Sequence, residues 1–311
     1  MRKILITGGA GYIGSKLVTK LLELDFKVTV VDVLKFSSRS LNHLFDNNNL
    51  NFIKGDVRNK KLMRKLIKEH ELIIPLAALV GAPLCDKNKN EAISVNLESI
   101  KYLMRFINKR HKIIYLTTNS GYGIGKKNKY CDEHSPLKPI SLYGRTKVEA
   151  EKIVMKNKNA IGFRLATVFG FSYRMRTDLL VNNFVYNAVK NKKLVIFEPH
   201  FRRNYIHIND VVDAIIYSIS NFNRMKSNVY NLGLSSANLT KFMLAKKIKK
   251  QLKYLKIQIV KNRRDPDQRD YYVSNKKIEK KGFKPKIKIE DGINELIKIF
   301  IYSKEKIINN Y

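Results

Sequence analysis

Close to its start, the apolar, β-branched run Lys3–Thr7 breaks into Gly8-Gly9-Ala10-Gly11-Tyr12-Ile13-Gly14. A helical pattern of Leu17, Leu21, Leu22 and Leu24 follows at once. Gly8, Gly11 and Gly14 give the spacing G-x-x-G-x-x-G. Without Cβ atoms such a turn lets the backbone approach a diphosphate, whose charge then rests on the N–H groups of the helix N-terminus. A lone glycine triplet is a weak signal. The strand before it, the helix after it and Asp32 at the end of a second strand, Lys27–Asp32, narrow it to a dinucleotide-binding βαβ unit. Asp32 is placed to accept hydrogen bonds from the adenosine ribose and to repel a 2′-phosphate, which favours NAD over NADP. Lys35 and Arg39 weaken that preference slightly.

The rest of the first half keeps the same rhythm. Strand-like runs at Leu50–Lys54, Glu71–Ala77, Lys112–Thr117 and Ala160–Ala166 alternate with helical periods, as a parallel sheet covered on both faces requires. After Gly170 the alternation stops. Segment 171–204 is irregular and basic, 205–230 reads as a strand and a helix, and 231–311 as short strands and Lys-rich helices. The expected fold is α/β: a doubly wound, parallel-sheet Rossmann domain (1–170 plus about 205–230) with a smaller, discontinuous α/β domain (171–204 plus 231–311) that binds substrate.

Composition sets the outer bounds. Across 311 residues, 44% hydrophobic content excludes wholesale disorder. Lys and Arg number 61 against 26 Asp and Glu, a formal charge of +35. Lysines are spread at helix-surface spacings rather than gathered in one arm, and no RNP motif or zinc finger is present. The charge therefore reads as solvated surface with a general pull on anionic small molecules, and neither a nucleic-acid nor a membrane partner is expected. Two cysteines, Cys85 and Cys131, build no disulfide framework. The early strand leaves no room for a signal peptide. The apolar stretch Leu72–Leu84 is broken by Pro75, Gly81 and Pro83 and is too short to span a bilayer. A cytoplasmic protein is expected. No cluster with metal-ligand spacing occurs, and His207 reads as a core histidine.

Together with Gly55-Asp56-Val57, Leu76-Ala77-Ala78 and Tyr143-Gly144-Arg145-Thr146-Lys147, the glycine pattern resembles the extended short-chain dehydrogenase/reductases, the NAD-dependent epimerase/dehydratase family acting on nucleotide sugars. The resemblance covers nearly the whole chain. It implies that Asp56 and Val57 flank the adenine and that Ala77 and Ala78 line the nicotinamide side. Leu76, Tyr12, Ile13, Asn96 and Thr117 are assigned to the cofactor with them. Pro75 stands where the family usually has His.

Tyr143 and Lys147, four apart, share one helix face. An ammonium beside a phenol lowers its pKa from about 10 toward neutrality, so the phenolate can take a hydroxyl proton while hydride leaves the same carbon. Lys147 is also assigned to the nicotinamide ribose. Counting back from Tyr122-Gly123, the family's Tyr-Gly, puts the catalytic hydroxyl on Thr118, with Thr117 and Ser120 as alternatives. Sugar-nucleotide 4,6-dehydratases carry an Asp-Glu pair after that Thr; here Asn119 and Ser120 stand there, so elimination of water lacks its acid and base.

On the substrate side, Arg203 matches the family's pyrophosphate-binding Arg before Tyr-Ile-His. Arg269, in Asp265-Pro266-Asp267-Gln268-Arg269-Asp270, matches a segment that closes over the nucleotide. Arg forks bind phosphate bidentately. Thr167 replaces an Asn in the family's Arg-x-x-Asn-x-x-Gly, and Arg164 of that motif reads as structural. Ser120, Arg174, Arg176 and Asn182 complete the expected sugar-nucleotide set.

Ile74–Cys85, Asn119–Gly125 and Asn231–Thr240 resemble one branch, the GDP-heptose 4-dehydrogenases of capsule and surface-polysaccharide pathways. That likeness implies oxidation at C4 of a GDP-linked heptose. A UDP-hexose C4 epimerase shares every residue named. A non-catalytic Rossmann binding protein is disfavoured by the presence of Tyr143, Lys147 and Thr118. Apolar stripes on Glu91–Asn108 and Leu142–Lys156 (Ile93, Leu97, Ile100, Met104; Val148, Ile153, Val154) resemble the family's dimer helices and imply a homodimer.

Overall fold

Near-continuous apolar runs in the first half become strands buried on both faces, as parallel sheets demand. The computed structural model describes residues 3–36, 38–125, 129–260 and 269–302. In chain order, the first half is β1 (Lys3–Thr7), α1 (Tyr12–Glu23), β2 (Lys27–Asp32), β3 (Leu50–Lys54), α2 (Lys60–Glu69), β4 (Leu72–Pro75), α3 (Ala82–Lys87), α4 (Lys89–Ile93), α5 (Ser99–Met104), β5 (Lys112–Thr118), β6 (Tyr130–Cys131), α6 (Leu142–Val154) and β7 (Ala160–Leu165). The second half adds β8 (Thr167–Phe169), α7 (Leu180–Lys190), β9 (Lys193–Phe197), β10 (Arg202–His207), α8 (Ile208–Ser220), α9 (Phe222–Met225) and β11 (Asn228–Leu232). It ends with β12 (Asn238–Thr240), α10 (Lys241–Gln251), β13 (Lys256–Val260), β14 (Tyr272–Val273), α11 (Lys276–Lys280) and α12 (Ile289–Tyr302).

Seven strands form one parallel sheet in the order β11-β7-β5-β4-β1-β2-β3. After β3 the chain crosses back to place β4 on the far side of β1, so the winding reverses between β1 and β4. A doubly wound sheet opens its ligand crevice there, beyond the C-terminal strand ends. The expected strand Glu71–Ala77 stops at Pro75 because Leu76 onward runs along this crevice.

α1 and α8 pack on the sheet in one core around Leu17, Leu21, Phe163, Ile215 and Tyr230. A second core, around Phe169, Val185, Tyr205, Leu244 and Phe300, joins β8 and β10 to α7, α10 and α12. β8, β10 and β12 form a separate three-stranded sheet, whose β10 carries Arg203 toward the crevice. Among the described residues, no helix is long and apolar enough to cross a membrane.

The stripes expected to pair two chains are mostly spent inside one. Leu97, Ile100, Val148 and Val154 are buried, and Leu97, Ile100 and Val154 pack with Tyr115 and Ile113 of β5. Ile93, 38% exposed, remains outside. Between α4 and α5 the helix widens into a π-turn at Ser94–Glu98, which sets Asn96 facing the chain after β4.

Candidate active site

A cleft of about 580 Å³ runs from the glycine turn past the end of β5 to β8 and β10. At its head, Gly8 adopts φ +72°, and a Cβ there would lie 2.5 Å from Ala77 N. This backbone contact between the turn and the chain after β4 tolerates glycine alone. No side chain caps α1 and its first turn holds no acid, so its N–H groups and positive dipole face the cleft undiluted. The Asp32 carboxylate accepts from Ala10 N at 3.0 Å and Leu34 N at 2.8 Å, tying the turn to the end of β2. Burial pushes Asp32 above the usual carboxylate range, against those two bonds. Asp56 lies farther along, held below its usual range chiefly by its hydrogen bonds from Arg58. The glycine cradle, the open helix end and Asp32 fit a dinucleotide with a free ribose.

Ser141 caps α6 by accepting from Gly144 N at 3.2 Å, and α6 presents Tyr143 and Lys147 to the cleft. The Lys147 ammonium sits 4.3 Å from the centroid of the Tyr115 ring on β5. Burial lowers its pKa to about 7, with Glu151 pulling the other way. Glu151 is itself gripped by Arg164, whose Nη2 lies 2.6 Å away, while Arg164 Nη1 donates to the Tyr122 hydroxyl at 3.0 Å. Arg164 is thus structural, as its sequence context suggests.

Thr118 lines the cleft at the end of β5. Its hydroxyl lies 2.8 Å from that of Ser120, which accepts from Arg269 Nη1 at 2.9 Å. One chain of polar contacts therefore joins the expected catalytic hydroxyl to an arginine expected to bind diphosphate. Thr117 also lines the cleft, and its hydroxyl finds no partner among the described residues. Residues 261–268, including Asp265 to Gln268 of the expected nucleotide-closing segment, lie outside the described residues.

Gly11, Tyr12, Ile13, Gly14, Val57, Leu76, Ala77, Ala78, Thr167, Arg174, Arg176, Arg203 and Arg269 all border this one cleft. Three expected residues do not: Asn96, Asn182 and Ser120, which bonds instead to Thr118 and Arg269 of the lining. Asn96 exchanges both its amide bonds with Leu79, accepting from N at 2.8 Å and donating to O at 2.9 Å. It holds the chain after β4 in place. Asn182 is fully buried; it accepts from Gly170 N at 3.0 Å and donates to Arg176 O at 2.8 Å. Its neighbour Asn183 borders the cleft instead. Tyr12 offers backbone to the cleft, while its hydroxyl donates to Gly170 O at 2.7 Å. Lys241, Phe197, Phe36 and Glu91 line the cleft as well. Nothing marked them in the sequence, since one lysine among so many carries no signal.

The sequence profile of the NAD dependent epimerase/dehydratase family matches residues 4–233. This chain belongs to that family. A putative UDP-glucose 4-epimerase of Methanocaldococcus jannaschii is 26% identical over 94% of this chain and 97% of its own. The UDP-glucose 4-epimerase of Thermotoga maritima, solved with UDP-glucose, aligns with TM-score 0.82 and 26% identity over 96% and 98% of the two chains. The dTDP-glucose 4,6-dehydratase of Bacillus anthracis, solved with NAD, gives 0.83 and 25% over 98% of both. Members of the family are NAD-dependent enzymes acting on nucleotide sugars, and NAD is the cofactor. Among the described residues, no group of three His, Cys, Asp or Glu side chains is arranged to hold a metal ion.

Proposed function

We propose that this family member oxidises C4 of a nucleotide-diphosphate sugar to the 4-keto sugar, in the cytoplasm. The observation that carries the reading is the meeting of Thr118, Tyr143 and Lys147 with the glycine turn on one cleft. NAD+, when bound, supplies the hydride acceptor. Tyr143 takes the proton from the C4 hydroxyl as general base. Lys147, one helical turn from Tyr143, favours the phenolate in its charged form. Thr118 hydrogen-bonds the hydroxyl and fixes its direction, and Ser120 and Arg269 support Thr118 from behind. Arg203, almost fully buried on β10, and Thr167 both line the cleft and are assigned to the substrate diphosphate.

Dehydration fits less well, although several relatives are dehydratases. Asn119 and Ser120 carry no exchangeable carboxyl proton at the positions where elimination needs an acid and a base. For the sugar we propose a GDP-linked heptose, supported by the stretches Ile74–Cys85, Asn119–Gly125 and Asn231–Thr240. The second reading is C4 epimerisation, favoured by the relatives named UDP-glucose 4-epimerase. We place a homodimer in the same proposal, formed over the outer sides of α4 and α6, where Ile93 is exposed.

Product analysis separates the two readings. Net accumulation of reduced nicotinamide with a 4-keto product supports the dehydrogenase. An epimer with no net cofactor change supports the epimerase.

A further inference from the structure

The loop after β8 crosses to the first domain and is fastened there. Ser172 donates to Tyr12 O at 2.6 Å and lies 2.9 Å from the Ser15 hydroxyl, both in the first turn of α1. Tyr173 stacks on His43 at 3.9 Å, and Lys16 of α1 sits over the Phe171 ring at 5.5 Å. Arg174 comes next. It is 4% exposed, borders the cleft, and holds its guanidinium 5.0 Å from the centroid of Phe36, four residues past Asp32. Two residues of extended chain span at most about 7 Å, so Arg174 is held close to the α1 N-terminus. The sequence places it with the sugar; its neighbours are those of the dinucleotide.

We propose that Arg174 is a cofactor residue: it closes over the NAD diphosphate from the second domain, opposite the N-terminus of α1. Its chemistry suits the task. A guanidinium fork matches a phosphate bidentately, and Phe36 supports its flat face. Arg174 Nη1 donates to Met175 O at 2.9 Å, and Arg176, two residues on, makes a two-point pair with Asp178, its Nε lying 3.1 Å from Oδ1. Burial first, and then the Arg176 charge, lower the pKa of Arg174 to about 10, so it stays charged at neutral pH. A diphosphate between two positive poles would hold the cofactor through turnover. It would also lock the loop that carries Arg176 toward the sugar side.

The inference rests on NAD as cofactor and not on C4 chemistry, and its test reads binding alone. Calorimetry compares wild type, Arg174→Met and Arg174→Lys, each stripped of cofactor. The Met variant keeps the apolar stem on Phe36 and removes the charge. NAD and ADP-ribose are expected to bind it about ten- to a hundred-fold more weakly, while adenosine, GDP and UDP bind as to wild type. The Lys variant, which keeps charge without the fork, should fall between. Weaker GDP or UDP binding with unchanged NAD binding would return Arg174 to the substrate. An equal loss for adenosine would move it off the diphosphate, and unchanged NAD affinity in both variants would leave it a packing residue. A Met variant that melts well below wild type makes the Lys variant decisive, with unchanged NAD affinity there overturning the assignment.

Discussion

Tyr143, Lys147 and Thr118, expected from their residue types and spacing, do come together on one cleft. Asn96 and Asn182, expected at the ligand, spend their amides on backbone and stand off the cleft lining. A buried amide that braces backbone and an amide that binds ligand look alike in sequence, and only geometry shows where the bonds go. Tyr143→Phe is expected to keep NAD affinity and lose about 10²–10⁴-fold in turnover, since only the general base is removed. Calorimetry beside steady-state assay reads both. Lys147 gives a second prediction. A lysine titrates near 10.5 when unfolded and near 7 in this fold. Between those values the unfolded chain holds more protons, so Lys147 makes stability rise with pH there, and its burial is most unfavourable below that window. Lys147→Met should therefore gain over wild type at about pH 6, with the gap closing toward about pH 10. Thermal melting of cofactor-free protein against pH checks it; a gap independent of pH would mean Lys147 is not desolvated as described.

At the scale of elements, β1 to β3 were readable to the residue because their runs are apolar and bounded by turns. The π-turn at Ser94–Glu98 was not, since the contact it serves, Asn96 on the Leu79 backbone, is distant in sequence. The helical stripes bury most of their apolar residues against β5 of the same chain: periodicity shows that a face is buried, not what buries it. The glycine turn is the element on which the cofactor site depends. Gly8→Ala combines a positive φ with backbone only 2.5 Å from the new Cβ. It should destabilise the protein by more than about 1 kcal/mol and weaken NAD binding at least ten-fold, read by denaturant melts and calorimetry.

Across the whole molecule, the +35 charge is spread over lysines, whereas Arg174, Arg176 and Arg203 are buried along one cleft. Arg203→Ala is expected to weaken GDP, UDP or dTDP binding by about ten- to a hundred-fold and leave NAD affinity unchanged. Equal nucleotide affinities would remove Arg203 from the site. Light scattering is expected to give twice the 36.1 kDa chain mass, and a monomeric mass would count against the dimer. The proposed reaction begins with hydride leaving C4 of a nucleotide sugar. A single-turnover reaction with GDP- and UDP-sugars deuterated at C4, quenched and weighed by mass spectrometry, tests this most directly. Reduced cofactor carrying the deuterium is predicted. Reduced cofactor without the label, or no reduction by any sugar that calorimetry shows to bind, would contradict it.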